Sequence, residues 1–307
     1  MTAALRIGTS GSKLALAQAE WIRRRIEAAN PGLRAELVVI RTSGDRIVDV
    51  PLHQVGGKGL FVKELEAALL DGSIDAAVHS LKDVPGELAP GLQIAAVPER
   101  EDVRDVMITR AAGGLAALPP GARVGTSSPR RAALLRALHP QLAVVDLRGN
   151  VDTRLAKLER GEVDGIVLAA AGLHRLGVEP PHAVPCDPRQ FLPAIGQGAL
   201  ALESAAGPVV EQLRAVEHAP TRQAIDAERA FLTTIGGTCT TPLAGHAEID
   251  GDRLTLRAAI AHPEGRPLVR GERSGAVADG ARLGAELARA LLAEGGAEVL
   301  RSLGWSG

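Results

Sequence analysis

Two strand–turn–helix units of similar sequence occur in the chain, and this internal repeat limits the possible folds more than any other feature. Residues 6–10 read RIGTS and residues 123–127 read RVGTS. A helical pattern follows each of them, over about residues 12–29 and 129–138. Each unit therefore predicts a short strand, a Gly-Thr-Ser turn and a helix.

A second matching pair follows the first in the same order. Residues 69–78 and 158–167 each contain a helix end, a glycine that stops the helix, and an apolar strand. Two devices repeated in the same order predict two α/β domains of similar topology. The alternative is that such units are common and that these match by chance.

The last third of the chain has a different pattern. Strand-like segments there lie between two helical segments, which predicts a small α+β third domain. The helices are expected over about Thr221–Thr233 and Ala278–Leu292, and the strands over Gly245–Ile249, Leu254–Ala261 and Leu268–Glu272. A chain of 307 residues has ample length for three domains.

Charge and composition exclude several classes of protein. The net charge is −1 and the chain has two Trp, three Phe and no Tyr, which argues against a nucleic-acid binder that stacks bases. The two cysteines, Cys186 and Cys239, are too few for a disulfide framework or a structural zinc site, and no metal is expected. The sequence shows no signal peptide and no apolar stretch of membrane-spanning length, so we expect a cytoplasmic protein without membrane partners.

Five arginines fall near the predicted carboxyl ends of strands in the second α/β domain, where open α/β sheets bind ligands. Two of them open a helix directly after Thr126, Ser127 and Ser128, and helix N-termini attract anions. The five are Arg130, Arg131, Arg148, Arg154 and Arg175, the last expected a short turn after the strand Ile166–Leu168. Guanidinium groups suit carboxylates or phosphates, so the pattern predicts a small polyanionic ligand. The alternative is that each is a solvated surface arginine.

The segment HSLKDVP, residues 79–85, follows the predicted strand Ala76–Val78. Lys82 and Asp83 could face a ligand there, although an exposed turn is the simpler interpretation.

Residues 55–61, VGGKGLF, fail the phosphate-loop pattern because Gly59 stands where Ser or Thr is required. The stretch from 42 to 59 is predicted to be a lid loop, with a disordered connector as the alternative.

Cys239 lies in GGTCTTP, residues 236–242, where glycines and a proline bracket a single thiol. Such a thiol could be a nucleophile or an attachment point. Spacing alone favours an ordinary cysteine.

These motifs together resemble the porphobilinogen deaminase (hydroxymethylbilane synthase) family from Leu5 to about Leu303. The matching stretches are VGGKGLFVKEL (55–65), AVHSLKDVP (77–85), VGTSSPRR (124–131), LRGNV (147–151), AAGLHRLG (170–177), PAIGQGA (193–199) and GGTCTTP (236–242). Each is moderately specific, and their order and spacing together are highly specific.

The resemblance implies an α/β fold with two domains like type II periplasmic binding proteins around a cleft, and a small α+β C-terminal domain. Domain 1 would comprise residues 1–98 and 196–216, domain 2 residues 99–195, and domain 3 residues 220–307. It also implies a monomeric transferase of haem and tetrapyrrole biosynthesis. Four porphobilinogen units would be deaminated and joined head to tail on a dipyrromethane cofactor, held by a thioether to Cys239, and released as hydroxymethylbilane.

Roles for particular residues carry over from the same resemblance. Asp83 would be catalytic, hydrogen-bonding pyrrole N–H groups and stabilising the cation formed when ammonia leaves. The cofactor would contact Ser80, Lys82, Asp83, Thr126, Ser128, Arg130, Arg131, Arg148, Arg154 and Gln197, besides its bond to Cys239. The substrate would contact Ser12, Lys58, Phe61, Arg148, Arg154 and Arg175.

The sequence departs from the family pattern in a few places. Ser10 stands where the family usually has a substrate-binding arginine, and Gln54 stands where a basic lid residue is common. We expect weaker substrate binding, or replacement of the missing charge by a nearby cation such as Lys13. Thr238 replaces a common glycine beside the thiol.

A different class of protein also fits the two-domain architecture: a non-catalytic binding protein for a small carboxylated ligand. The missing signal peptide, the third domain and Cys239 argue against it.

Overall fold

The computed structural model describes residues 4–41, 62–237 and 241–304. The chain divides into two compact units, the first formed by Met1–Glu101 with Gly198–Arg222 and the second by Asp102–Gln197 with Gln223–Gly307. The chain therefore leaves the first unit, builds part of the second, and returns before it completes the second.

The first unit contains a five-stranded sheet in the order β2-β1-β3-β10-β4. Its strands are β1 (Leu5–Thr9), β2 (Ala35–Val39), β3 (Ala76–Ser80), β4 (Leu92–Ala96) and β10 (Leu200–Ala205). Its helices are α1 (Lys13–Ala29), α2 (Lys63–Leu70) and α6 (Val209–Arg214), with a 3₁₀ turn at Leu81–Asp83. β1 runs parallel to β2 and β3, whereas β10 runs antiparallel to β3 and β4. The returning segment thus supplies an interior strand.

Local sequence explains how α1 begins and packs. The Ser12 hydroxyl accepts a hydrogen bond from the Ala15 N–H at 3.2 Å and caps the helix, whose buried face includes Ile22 and Ile26. Strand residues alternate between the faces of the sheet, so Val78 packs on the α1 face and Ala77 packs against α2. The sheet therefore has an apolar core on each side.

The second unit contains an equivalent five-stranded sheet in the order β7-β6-β8-β5-β9. Its strands are β5 (Asp105–Thr109), β6 (Arg123–Gly125), β7 (Ala143–Val145), β8 (Gly165–Ala169) and β9 (Ala183–Pro185). Its helices are α3 (Pro129–Leu138), α4 (Val151–Glu159) and α5 (Ala170–Leu176). As in the first sheet, four strands run in one direction and a single strand, here β5, runs antiparallel to them. The two sheets therefore share one topology, as the sequence repeat predicts.

The same unit holds a three-stranded antiparallel sheet in the order β11-β12-β13. Its strands are β11 (Leu243–Asp250), β12 (Arg253–Ala261) and β13 (Leu268–Ala276), and the helices are α7 (Ala219–Ile235), α8 (Gly280–Leu291) and α9 (Ala297–Ser302). Phe231, Leu256 and Leu287 are fully buried in its core. This completes the predicted fold class: two similar α/β sheets and a small α+β region.

The three-stranded region is joined to the rest of the second unit by polar contacts. The Arg136 guanidinium at the end of α3 donates to the Pro263 carbonyl at 2.7 Å. The fully buried Glu228 carboxylate of α7 accepts from the Gly196 N–H at 2.7 Å and from the Ala247 N–H at 2.9 Å. One carboxylate therefore holds a loop and a strand of the unit together.

Candidate functional site

The turn between β6 and α3 stabilises its own backbone. The Thr126 hydroxyl oxygen accepts from the Ser128 N–H at 3.1 Å, and the Ser128 hydroxyl oxygen accepts from the Arg131 N–H at 3.4 Å. Pro129 fills the first position of the helix, where its missing N–H costs nothing. Both hydroxyl oxygens serve as acceptors here, which leaves each hydroxyl proton able to face a ligand oxygen.

A fully buried carboxylate joins the two arginines in the first turn of α3. Asp105 accepts from Arg130 Nη1 at 2.7 Å and from Arg131 Nε at 2.8 Å. The guanidinium groups also donate to the carbonyls of Leu192 and Val167, at 2.7 and 3.0 Å. Because β5 is antiparallel, its first residue lies beside the carboxyl end of β8, where Asp105 pairs with Ala169. Arg130 and Arg131 are therefore buried and oriented, not solvated.

Burial and the neighbouring charges shift the pKa values of Asp105 and Arg130. Burial alone would raise the pKa of Asp105, but the attraction of Arg130 and Arg131 outweighs it and lowers that pKa to about 2. Burial lowers the pKa of Arg130, with repulsion from Arg131 adding to it and Asp105 opposing it. One negative charge faces two positive ones, so the triad keeps an excess positive charge.

Two more arginines extend this positive region. Arg154 in α4 donates from Nε to the Gly149 carbonyl at 2.7 Å and from Nη2 to the Ser127 hydroxyl at 3.0 Å. Burial, followed by repulsion from Arg131, lowers the pKa of Arg154 to about 10. Arg148 adds to that repulsion, whereas Asp146 opposes it. A bound anion would stabilise a guanidinium group in such surroundings.

The start of α4 also favours a bound anion. Asn150 occupies the cap position but its side chain makes no capping hydrogen bond. Nearby, Arg148 Nε is buried, lies 3.5 Å from the Asp146 carboxylate, and makes no hydrogen bond to the described residues. A helix start without a side-chain cap and a buried donor without an acceptor are features that a carboxylate would satisfy.

Arg175 is not where the sequence analysis expected it. The residues after β8 do not form a short turn; they continue directly as α5, so Arg175 lies in the last helical turn. The run AAGL contains no proline and its one glycine, Gly172, is buried inside the helix, which ends only at Gly177, whose φ of 63° suits glycine. Gln197 is fully buried and its Nε2 donates to the Val103 carbonyl at 2.7 Å and to Asp105 at 3.2 Å.

In the first unit, the candidate residues gather where β3 ends. The strand is longer than expected and includes His79 and Ser80, because β10 pairs with it as far as Ser80. The Ser80 hydroxyl lies 2.9 Å from Gln18 Nε2 and 3.2 Å from Gln18 Oε1. Lys82 and Asp83 follow in the 3₁₀ turn, with Asp83 exposed at its end. This unit therefore presents a carboxylate from a firmly held strand end.

Several predicted features lie outside the described residues. They are the lid stretch 42–59 with Gln54 and Lys58, then Phe61, and Thr238 with the candidate attachment residue Cys239. Ser12 is described, and its side chain caps α1.

The described part of the chain contains neither a cluster suited to a metal ion nor a membrane-spanning helix. No cluster of three or more His, Cys, Asp or Glu suited to a metal ion occurs among residues 4–41, 62–237 and 241–304. No helix in those ranges is long and apolar enough to span a membrane.

Sequence reasoning missed three buried polar residues beside these sites: Gln18, Asp105 and Glu203. Asp105 and Glu203 belong to the antiparallel strands of their sheets, and nothing in the local sequence reveals which residues those strands meet. The one available signal for Asp105 was an acidic residue at the start of an apolar run, DVMIT.

Comparison with known proteins gives consistent matches along the chain. A family model described as porphobilinogen deaminase, dipyromethane cofactor binding domain, matches residues 5–209. A second, described as porphobilinogen deaminase, C-terminal domain, matches residues 222–293. The porphobilinogen deaminase of Syntrophobacter fumaroxidans is 49% identical over 97% of both chains. That of Nitratidesulfovibrio vulgaris strain Miyazaki F is 50% identical over 98% of this chain and 97% of its own.

Solved structures with distant sequences also align with the chain. The methionine-binding protein MetQ is 15% identical and covers 68% of this chain with 88% of its own, at a TM-score of 0.45. The periplasmic VFT2 domain of Bordetella pertussis BvgS is 15% identical and covers 75% of this chain with 91% of its own, at a TM-score of 0.42.

Proposed function

Because the chain belongs to the porphobilinogen deaminase family, we propose that it catalyses the reaction for which the family is named. Four porphobilinogen molecules lose ammonia and are joined head to tail on a dipyrromethane cofactor, and water then cleaves the bond to the cofactor and releases hydroxymethylbilane. The cofactor is bound through a thioether to Cys239.

The observation that carries this proposal is the concentration of arginines in the second unit. Porphobilinogen bears an acetate and a propionate, so the growing chain gains two carboxylates with each ring. Burial and then repulsion from the nearby Arg131 and Arg148 lower the pKa of Arg154. Carboxylates of the cofactor and the substrate would relieve that repulsion and would satisfy the start of α4 and Arg148 Nε. The residues present therefore fit a dipyrromethane group.

Asp83 is the residue we assign to the chemical step. Its exposed carboxylate, at the end of the 3₁₀ turn, accepts hydrogen bonds from pyrrole N–H groups and stabilises the positive charge that develops as ammonia leaves. The cofactor, when bound, supplies the nucleophilic carbon to which the first substrate is joined. Ser80, Lys82, Thr126, Ser128, Arg130 and Gln197 complete the proposed set for the cofactor, and Ser12, Lys58, Phe61 and Arg175 that for the substrate.

We also propose the three-domain division given above, with Cys239 in the third domain. Most apolar residues of the β5–β9 sheet and of the three-stranded sheet lie in different clusters, joined by a small cluster of Leu192, Ala244 and Ala259, and this supports a division inside the second unit. The proposed protein is a cytoplasmic monomer, and light scattering of the purified protein would test its monomeric state.

The proposal can be tested by the intact mass of the purified protein and of two single-cysteine variants. We expect the wild type and Cys186→Ser to carry the mass of one dipyrromethane, and Cys239→Ser to lack it. Cys186 is a suitable control because burial raises the pKa of its thiol to about 12, which makes it a poor nucleophile. Ammonia should be released from added porphobilinogen only by those proteins that carry the adduct.

If the purified protein has the mass of the bare chain, it is incubated with porphobilinogen and its mass is measured again. An adduct that appears during this incubation, together with ammonia, would identify the purified protein as an apoprotein of the proposed enzyme. Stoichiometric binding without adduct or ammonia would instead indicate a non-catalytic binding protein for a carboxylated ligand.

A further inference from the structure

Two polar pairs flank the end of β3, one on each face of the sheet, and the second of them is buried. Ser80 contacts Gln18 on the α1 face. On the other face, His79 Nε2 lies 2.8 Å from Glu203 Oε2 of β10. His79 and Glu203 share that face because they alternate with Val78 and Leu202, whose side chains pack in the α1 core. The strand end that leads to Asp83 is thus held from both sides.

Stability does not explain the second pair. Glu203 is fully buried and His79 is 6% exposed. Neither carboxylate oxygen of Glu203 meets a hydrogen-bond donor in good geometry among the described residues. A buried carboxylate with so few hydrogen bonds costs free energy that close contact with one imidazole does not recover, and apolar residues of similar size would pack there at lower cost. The pair therefore calls for another explanation.

The backbone around the pair shows what it controls. β3 and β10 align Ser80 with Leu200, and the Leu81 N–H donates to the Ala199 carbonyl at 3.0 Å. The Val84 N–H then donates to the Leu81 carbonyl at 3.0 Å and closes the turn that carries Asp83. Any shift of β3 against β10 at this end would move the Asp83 carboxylate.

We propose that Glu203 is a positioning residue that acts through His79 to fix the end of β3 and, with it, the Asp83 carboxylate. The Gln18–Ser80 contact holds the same strand end from the opposite face. This inference rests on the proposed function in one respect only, since it takes Asp83 as the residue that acts on the substrate.

The first test compares Glu203→Leu with Glu203→Gln and with Asp75→Asn. Asp75 precedes β3 at its other end and binds Arg6 at 2.7 Å, so its variant perturbs the same strand away from Asp83. We expect Glu203→Leu to lower kcat about 10²-fold at a nearly constant KM, the scale of a small misplacement of a reacting group. Glu203→Gln should recover much of that loss. Asp75→Asn should lower Tm without lowering kcat, and a normal kcat in Glu203→Leu would overturn the proposal.

The second test separates positioning from stability. In His79→Leu/Glu203→Leu both polar groups are replaced by apolar ones, so Tm should return to the wild-type value or exceed it. If Glu203 positions Asp83, kcat of this double variant should nevertheless stay low. Recovery of kcat together with Tm would overturn the proposal.

Hydrogen exchange of the apoprotein gives a readout that does not depend on activity. The amides of Leu81 and Val84 should exchange faster in Glu203→Leu and in the double variant, and at the wild-type rate in Asp75→Asn. Unchanged exchange in Glu203→Leu would overturn the inference. An inactive wild type would instead count against the proposed function, and the exchange rates would still decide this inference.

Discussion

At the scale of single residues, the stability of the fold depends strongly on Asp105, because its one negative charge offsets two buried guanidinium groups. We expect Asp105→Asn to destabilise the protein by about 3–5 kcal/mol, since it leaves Arg130 and Arg131 buried without a counter-charge. Urea unfolding at neutral pH would measure this. Glu162→Gln, which removes an exposed pair with Arg160, is the control and should have little effect.

The same carboxylate makes stability depend on pH. The pKa of Asp105 is about 2 in the folded protein against an ordinary value of 3.8, so the unfolded chain takes up the proton first as the pH falls. Its contribution, roughly 2 kcal/mol, is present above about pH 4 and is lost as the pH falls to 2. The stability gap between wild type and Asp105→Asn should therefore narrow over that range, and a constant gap would contradict the assignment.

Ser10 tests whether a missing charge has been replaced. A charged hydrogen bond in a buried site contributes about 1.5–3 kcal/mol, so Ser10→Arg should lower KM for porphobilinogen by about 10-fold or more. If Lys13 supplies the charge instead, Lys13→Ala should raise KM in the wild type. Steady-state kinetics of both variants measure these effects, and two silent variants would show that this position does not bind substrate.

At the scale of elements, the close approach of α8 to α7 depends on one glycine. A Cβ at Gly284 would overlap the Ala227 carbonyl oxygen, whereas a Cβ at Gly280 would lie 3.3 Å from the Ala227 Cβ. Gly284→Ala should therefore cost about 2 kcal/mol or more, as overpacking of a core does. Gly280→Ala should cost clearly less, and equal denaturation midpoints would rule out this close approach.

Elements with strong local signals could be predicted from the sequence. The helix expected over residues 129–138 has those bounds in the structure, because its cap Ser128, its first residue Pro129 and its periodicity are all local. In place of the single helix expected over Ala278–Leu292, the structure has a regular α-helix that ends at Leu291 and a π turn over Leu292–Gly296 that follows it directly. Gly295 there has a φ of 109°, which favours glycine and interrupts a regular helix.

Partners distant in sequence could not be predicted in the same way. Arg130 and Arg131 were predicted as anion ligands, but their contact with Asp105 depends on β5 lying antiparallel beside β8. Likewise, the contact of His79 with Glu203 depends on the pairing of β3 with β10. Tertiary pairing decides both contacts, so a local pattern reveals neither.

At the scale of the whole molecule, Glu228 links parts of the second unit that are far apart in sequence. Its two oxygens accept from the N–H groups of Gly196 and Ala247. A glutamine has one acceptor oxygen, so Glu228→Gln should leave one buried N–H unsatisfied, at a cost of about 1–3 kcal/mol. Hydrogen exchange should therefore be faster at one of these two amides, with the strands of the first unit unaffected. Wild-type exchange rates at both amides would mean that the glutamine still serves both regions.

The interior position of β10 has a consequence for synthesis on the ribosome. β10 lies between β3 and β4, yet it emerges about 120 residues after β3. At 5–20 residues per second, β3 and β4 would wait about 6–24 s with unpaired edges that face each other across a missing strand. The nascent first unit is therefore open to non-native pairing for longer than the β5–β9 sheet, whose strands all precede β10. Slow translation between residues 100 and 200 would lengthen that interval and favour aggregation.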